Sequence, residues 1–307
     1  MNQNIFFIIA ILFAVTSCTV DKTDYEAEIS TEVTEHFEFT EVLSIDKGEF
    51  EIRIEALNGT FYKGYNDIRL KIINTQTNAI INASEVTFLP IMTTTTGNTV
   101  SCPHSYNLEY RSENSYYSGY AVFVSESNSS SHWELYLSFT VNNQKHTVTQ
   151  HVSVAEQANK NLGMTMFTGH DNEQYIIALI APQKPKIAEN ELVAGIYKYN
   201  QAQNESETFP DPSQFSYSEA DGYTLLLDPR MPEPSMGNHS SLHNQDLTQQ
   251  SDGLYYGVVN YTMTGNWTLN FMLQDQNAQL VKGTAVSTDF TPGIEGEKSE
   301  LYIDILF

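Results

Sequence analysis

Sulfur and imidazole side chains are concentrated in one short segment of the sequence, residues 229–243. Met231, Met236, His239 and His243 lie within thirteen residues that proline and glycine interrupt. Thioether sulfur and imidazole nitrogen together suit Cu(I), and imidazole alone suits Cu(II) or Zn(II). Met263 adds a fifth donor if the strand end that carries it lies beside this segment. The segment therefore predicts a site for a soft or borderline metal ion, with copper as the favoured cofactor.

Packing offers a second interpretation of the same segment. Methionine is flexible and fills irregular gaps in apolar cores. Met231 and Met236 would then plug one end of a β-structure, while His239 and His243 face water. The sequence leaves metal binding and packing both open.

Two further groups of donors are sparser than the first. Their members are Met92, Cys102 and His104 in the first half of the chain, and Met164, Met166 and His170 near its middle. For Cys102 the alternative to a metal ligand is a plain buried thiol. We expect His132, His146 and His151 to be surface or core residues rather than ligands.

Familiar catalytic signatures are absent from the sequence. It contains no His-Glu-x-x-His, no Gly-x-Ser-x-Gly and no phosphate-binding glycine loop. Cys102 precedes Pro103 and has only the titratable His104 as a basic neighbour, which does not suit an activated nucleophile. We therefore expect a binding module and not an enzyme.

The charge of the chain restricts its partners. Its 307 residues include 38 acidic and 15 basic side chains, which give a formal net charge of −23. Binding to phosphate groups requires lysine and arginine, so this balance argues against nucleic acid and against docking on anionic lipid.

The elements that must position the donors have the pattern of β-strands. Apolar and polar residues alternate in many short runs, for example 50–54, 133–139 and 267–271. Such alternation is typical of strands with one buried face, and Asn-Gly or Asp-Gly pairs at 58–59 and 221–222 mark turns between them. The pattern predicts an all-β fold of the β-sandwich type.

Four marks recur in the same order in both halves of the chain. They are Asn66, Pro90-x-Met92, Tyr117-x-Gly119 and Trp133 in the first half, and Asn190, Pro229-x-Met231, Tyr255-x-Gly257 and Trp267 in the second. This repeat predicts a first β-sandwich over residues 37–154, a linker over 155–171 and a second β-sandwich over 172–307. Residues 200–218 of the second half have the composition of a long exposed loop or hairpin.

The N-terminus has the pattern of a bacterial lipoprotein signal. An apolar run of eleven residues, 5–15, is too short to span a bilayer and suits a secretory signal. Residues 15–18, Val-Thr-Ser-Cys, then resemble a lipobox. We expect a signal peptide over residues 1–17, lipid on Cys18, and an acidic tether over 18–36 that anchors the protein to the outer membrane of the cell envelope. An ordinary cleaved signal or a buried segment is the alternative.

The repeated marks resemble those of the YtkA-like β-sandwich domains of bacterial envelope proteins, in particular tandem lipoproteins of Bacteroidota. The resemblance covers about residues 48–150 and 172–285. It matches Met231, Met236, His239 and Met263 to the family's Met/His positions. In the first half only Met92, Cys102 and His104 correspond, and the threonine run at 93–96 departs from the pattern. The resemblance implies two tandem immunoglobulin-like sandwiches with a link to copper or redox handling outside the cytoplasm.

Two functions follow from these features. The first is an envelope-anchored binding module for copper or another soft metal ion, with no protein partner yet indicated. The second is a structural or adhesive surface module that binds protein or glycan through exposed tyrosine, asparagine and serine side chains and holds no metal.

The lipobox makes a direct prediction. Replacing Cys18 with serine removes the acylated thiol, so we expect the variant to lose incorporation of a labelled fatty acid and to leave the membrane fraction. A Cys102→Ala variant, as the control, keeps both properties. Labelling that persists in Cys18→Ser would contradict the predicted anchor.

Overall fold

The computed structural model describes residues 38–202, 204 and 206–307, and β-strands account for nearly all of its regular structure. The predicted signal peptide, Cys18 and the acidic tether lie outside the described residues. Within the described ranges, no helix is long and apolar enough to cross a membrane. The prediction of an all-β fold is confirmed.

The first half of the described chain contains twelve strands in three sheets. They are β1 (Phe39–Lys47), β2 (Phe50–Leu57), β3 (Phe61–Tyr62), β4 (Gly64–Asn74), β5 (Ala79–Ile80), β6 (Ser84–Thr94), β7 (Thr99–Ser101), β8 (Glu109–Arg111), β9 (Tyr116–Phe123), β10 (Ser131–Val141), β11 (Gln144–Val152) and β12 (Val154–Ala155). One sheet has the order β1-β2-β4-β9-β8, with β5 beside β4. A second sheet has the order β11-β10-β6-β7, and β12 pairs with β3.

The two larger sheets of the first half share one hydrophobic core. Alternate residues of β2, such as Ile52 and Ile54, are buried together with alternate residues of β10, such as Trp133 and Leu135. Removing a side chain of this size from water contributes about 1.5–3 kcal/mol. Two antiparallel sheets packed on such a core have the architecture of a β-sandwich.

Over its described residues, the second half contains eleven strands and one short helix. They are β13 (Met164–Thr168), β14 (Gln174–Ala181), β15 (Glu189–Tyr199), a 3-10 helix (Pro212–Phe215), β16 (Tyr217–Glu219), β17 (Thr224–Met231), β18 (His239–Ser240), β19 (Gln245–Gln249), β20 (Tyr255–Asn260), β21 (Asn266–Gln274), β22 (Leu280–Lys282) and β23 (Leu301–Leu306). The sheet order is β13-β14-β15-β20-β19-β17-β21-β22, with β16 beside β15, β18 beside β17 and β23 beside β21.

Strand β19 connects the two layers of the second half. Thr248 pairs with Thr224 of β17 on one side and with Tyr256 of β20 on the other. The second half therefore forms one continuous sheet around its core, which contains Leu247 and Trp267. In the first half the corresponding layers remain separate sheets.

The repeated asparagines make the same hydrogen bonds in both halves. The Asn66 amide accepts from the backbone N–H four residues earlier, at 2.8 Å, and donates to the carbonyls four and two residues earlier. The Asn190 amide makes the same three bonds, accepting at 3.1 Å and donating at 2.8 and 2.7 Å. Both side chains are buried, so each satisfies backbone groups at the entrance to a central strand.

The other repeated residues lie in matching register. Tyr117 of β9 lies opposite the residue four positions after Asn66, and Tyr255 of β20 lies opposite the residue four positions after Asn190. Each tyrosine hydroxyl donates to a carbonyl 34 or 35 residues earlier in the chain. The sequence repeat thus corresponds to equivalent positions in two sets of paired strands.

The sequence predicts that the segment at 200–218 is a long exposed loop or hairpin. In the structure, part of this segment packs against the first half. Phe215 is buried in a cluster with Leu89 and Ile91 of β6, and the Phe209 ring packs edge-on against Tyr136 of β10 at 5.7 Å. The insertion of the second half therefore covers part of the outer face of the β11-β10-β6-β7 sheet. Phe215 is buried there because this face is partly apolar, whereas Phe209 remains 58% exposed.

The region predicted as a linker, 155–171, contains the first strand of the second half. Strand β13 pairs along its whole length with β14. The two halves also pack directly, since Val122 of the first half shares a small buried cluster with Ile176, Ala178 and Tyr197 of the second. Strand β13 is only five residues long, so the composition of the segment did not distinguish it from a linker.

We predict that Asn190→Ala destabilises the protein by about 2 kcal/mol, because three buried backbone groups lose their partner. Asn66→Ala should have an effect of similar size. The free energy of unfolding in urea measures both, and the exposed Asn114→Ala serves as the control. Equal stability of Asn190→Ala and Asn114→Ala would contradict this role.

Candidate functional site

The segment at 229–243 is an ordered hairpin and not an open loop. Residues 229–231 belong to β17, and the chain returns in β18 after a turn in which Gly237 and Asn238 have positive φ angles. Buried Asn238 donates from its side chain to the Ser287 carbonyl at 3.0 Å. The Gly296 N–H donates to the Pro232 carbonyl at 2.7 Å. Residues 284–299 thus fix the turn from outside.

The hairpin places Met231 beside His239. These two residues are partners in the ladder between β17 and β18. Met231 is 2% exposed and lies in the core cluster of the second half. The Nε2 atom of His239 is 2.8 Å from the Oγ1 atom of Thr262, and the His239 ring lies edge-on to Trp267 with centroids 6.0 Å apart.

The other predicted donors occupy the same end of the second half with different exposure. Met236 and Met263 are partly buried, and both pack against the core that contains Met231. The indole Nε1 of Trp267 donates to the Met263 carbonyl at 3.1 Å, which fixes the backbone at Met263. His243 is exposed and has a φ of 67°.

The first half holds a related arrangement around Met92. Trp133 lies opposite Met92, and its Nε1 atom donates to the Ser125 carbonyl at 2.9 Å. The Ser125 hydroxyl donates to the Met92 sulfur at 2.9 Å. The ladder partner of Met92 on β7 is Val100, in the position that His239 occupies in the second half. Ser125 therefore corresponds to Met263 of the second half, and Val100 corresponds to His239.

Cys102 and His104 are held by burial and by the backbone. Cys102 is a free, fully buried thiol, and burial raises its pKa well above the ordinary value. The His104 Nδ1 atom lies 2.6 Å from the Cys102 carbonyl, and burial lowers the pKa of this imidazole. The lowered pKa favours the neutral imidazole, and because a carbonyl oxygen can only accept, Nδ1–H is the donor. The thiol is not prepared for nucleophilic chemistry.

The third predicted donor group is spread along β13 and the turn after it. Met164 packs against the cluster between the halves, whereas Met166 is 58% exposed. His170 is exposed beyond the end of the strand. The position of Met164 is explained by packing.

One group of ligand-type side chains was missed by the sequence analysis. His132 and Glu134 of β10 and His151 of β11 have side-chain nitrogen and oxygen atoms that all lie within 4.8 Å of one another. The signal for it was present in the sequence. Asn142 and Asn143, both with positive φ, form a two-residue turn, and a turn of this length sets Glu134 opposite His151.

No known protein family matches the chain, and no curated protein matches it. Among solved structures, the chain is similar to the crystal structure of a DUF4785 family protein from Legionella pneumophila, with 8% sequence identity and a TM-score of 0.25. The similarity covers 76% of this chain and 55% of that one, so the chain spans about half the length of that protein. The resemblance to YtkA-like domains gains no support from these matches.

The buried His104 predicts a contribution to pH dependence. Its folded-state pKa is lowered, so the unfolded state binds a proton more readily below the ordinary histidine pKa of about 6.5. The contribution to stability is therefore complete above that pH and is lost as the pH falls below it.

We expect His104→Asn, which retains a donor for the Cys102 carbonyl, to flatten the fall in unfolding free energy between about pH 7 and pH 5 relative to the unsubstituted chain. Urea titrations at several pH values measure both slopes. Identical slopes would show that His104 has no part in the pH dependence.

Proposed function

We propose that this protein is a lipid-anchored, non-catalytic binding module of the bacterial cell envelope. Its second half binds a soft metal ion, with copper as Cu(I) the preferred ion. The ligands are the thioethers of Met231, Met236 and Met263 and the imidazole of His239. His243 lies on the exposed turn after β18 and serves as an outer ligand at most.

One observation carries this proposal. Met231 and His239 are ladder partners, and the His239 ring reaches Thr262, the neighbour of Met263, at 2.8 Å. Three separate chain segments therefore bring sulfur and nitrogen donors to one end of one core.

The first half supplies a template for the position of Met263. Ser125 and Met263 each present the carbonyl that accepts the tryptophan N–H of their half. In the first half the Ser125 side chain reaches the Met92 sulfur at 2.9 Å, and Met92 corresponds in register to Met231. By this template, we infer that Met263 brings a second sulfur toward the Met231 sulfur.

The chemistry of the surroundings suits a soft cation. The Thr262 hydroxyl is hydrogen-bonded to Nε2 of His239. This contact orients the ring and leaves the other nitrogen, Nδ1, as the ligand. Thioether and imidazole ligands without a carboxylate favour Cu(I) over hard cations. The net charge of −23 raises the local concentration of cations of every kind.

The proposal includes the domain organisation. We infer two tandem immunoglobulin-like β-sandwiches, derived from one repeated unit, which follow a lipidated Cys18 and an acidic tether. The equivalent asparagine, tyrosine and tryptophan positions support the duplication. Lipid on Cys18 places both sandwiches at the outer membrane, with the envelope membrane and a metal ion as partners and no role for nucleic acid.

A second function, a structural or adhesive module without metal, is favoured by a different observation. Met231 is 2% exposed and packs in the core, as a residue that only fills space would. Leu242, Ile187 and Ile294 are 74%, 59% and 61% exposed, and exposed apolar side chains on loops suit contact with another macromolecule.

Titration with Cu(I) in competition with a chromophoric chelator separates the two functions. We expect one Cu(I) per chain, and a loss of affinity of about tenfold or more in His239→Ala and in Met263→Ser, which copies the first half. His170→Ala is the matched control, since His170 is exposed and lies on another element. Affinity that is unchanged in His239→Ala/Met263→Ser would leave only the adhesive function.

A further inference from the structure

The outer face of the β11-β10-β6-β7 sheet carries a row of polar side chains that neither sandwich core uses. His132, Glu134 and Tyr136 alternate along β10 with the buried residues Trp133 and Leu135. They consequently project to the face opposite the core. His151 joins this row from β11, because it is the direct ladder partner of Glu134.

Three of these side chains form a compact donor set. The ligand atoms of His132, Glu134 and His151 all lie within 4.8 Å of one another. The His151 Nε2 atom is 3.4 Å from Glu134 Oε1, and the two imidazole rings have centroids 5.1 Å apart. Around a tetrahedral zinc ion, ligand atoms lie about 3.3 Å apart. The difference is about 1.5 Å at most, and the two rings that must rotate to remove it belong to exposed residues.

The carboxylate of this set is oriented by its neighbour. The Tyr136 hydroxyl donates to Glu134 Oε2 at 2.9 Å, which leaves Oε1 facing His151. A hydrogen bond to the outer oxygen of a ligand carboxylate is the usual support of a metal site. Strand β10 is paired on both sides, with β6 and β11, so the positions of His132 and Glu134 are held by a rigid element.

Stability does not account for the cluster. The His151 side chain is 69% exposed, and an ion pair exposed to this degree contributes little to folding. His132 takes no part in that pair, although its ring lies 5.1 Å from the His151 ring. A bound cation with both imidazoles and the carboxylate as ligands accounts for the proximity of the three groups.

We propose that His132, Glu134 and His151 form a second metal site, for a borderline divalent transition-metal ion such as Zn(II). Two imidazoles and one carboxylate suit such an ion and not Cu(I) or a hard cation. Three protein ligands on a solvent-facing surface leave a coordination position for water or for an external ligand. The site lies in the first half, so it does not depend on the Met/His site proposed for the second half.

Isothermal titration of the purified full chain with Zn(II) tests this site. We expect one ion per chain and a loss of affinity of about tenfold or more in His132→Ala and in His151→Ala. Tyr136→Phe, which removes only the hydrogen bond to Glu134, should weaken binding by a smaller factor. The control is His170→Ala, which removes an exposed histidine elsewhere and should bind like the original chain.

Protection from diethyl pyrocarbonate provides a measurement that needs no variant. Zn(II) should protect His132 and His151 from modification and leave His170 reactive, as read by mass spectrometry of peptides. Zn(II) affinity that is unchanged in His132→Ala/His151→Ala, or equal modification of His132 and His151 with and without Zn(II), overturns the proposal. Loss of Cu(I) binding alone would bear only on the second half.

Discussion

Each half of the described chain is organised around one buried tryptophan whose indole N–H must find an acceptor. Trp133 and Trp267 are both 0% exposed, and a buried donor without a partner costs about 1–3 kcal/mol. The backbone carbonyls of Ser125 and Met263 meet this requirement. The requirement fixes the backbone of Ser125, whose hydroxyl contacts the Met92 sulfur, and the backbone of Met263 in the second half.

The two halves place different side chains around their equivalent methionines, Met92 and Met231. In the first half, serine and valine surround Met92, and the thiol of Cys102 is buried with a raised pKa. In the second half, His239 is the ladder partner of Met231, and Met263 supplies the carbonyl that accepts from Trp267. The first half instead carries its ligand-type side chains on the outer face of a sheet. Under the two proposals made above, the repeated frame presents a soft donor set at one location and a borderline donor set at another.

Alternation and short turns made much of the fold predictable from the sequence. The repeated Asn66 and Asn190 mark equivalent strands because each side chain satisfies the same backbone groups. The turn at Asn142 and Asn143 also determines the register of β10 and β11. Taken one at a time, His132 and His151 have the pattern of surface or core residues, and only the register shows that they share the neighbour Glu134.

Other features depend on contacts between distant segments, which local patterns do not encode. Strand β19 joins two layers into one sheet because it pairs on both sides, and nothing in its five residues distinguishes it from an edge strand. The docking of Phe215 on Leu89 requires the two halves to be in place first. The hairpin at 229–243 looked like a loop because the segment that fixes it, 284–299, is distant in sequence.

X-ray absorption at the copper edge of the Cu(I)-loaded chain tests the central claim most directly, since it reports the elements bound to the metal. Convergence of Met231, His239 and Met263 predicts a first shell that contains both sulfur and nitrogen, with the sulfur signal reduced in Met263→Ser. A first shell of nitrogen and oxygen alone would contradict the account, because the thioethers would then serve only to pack the core.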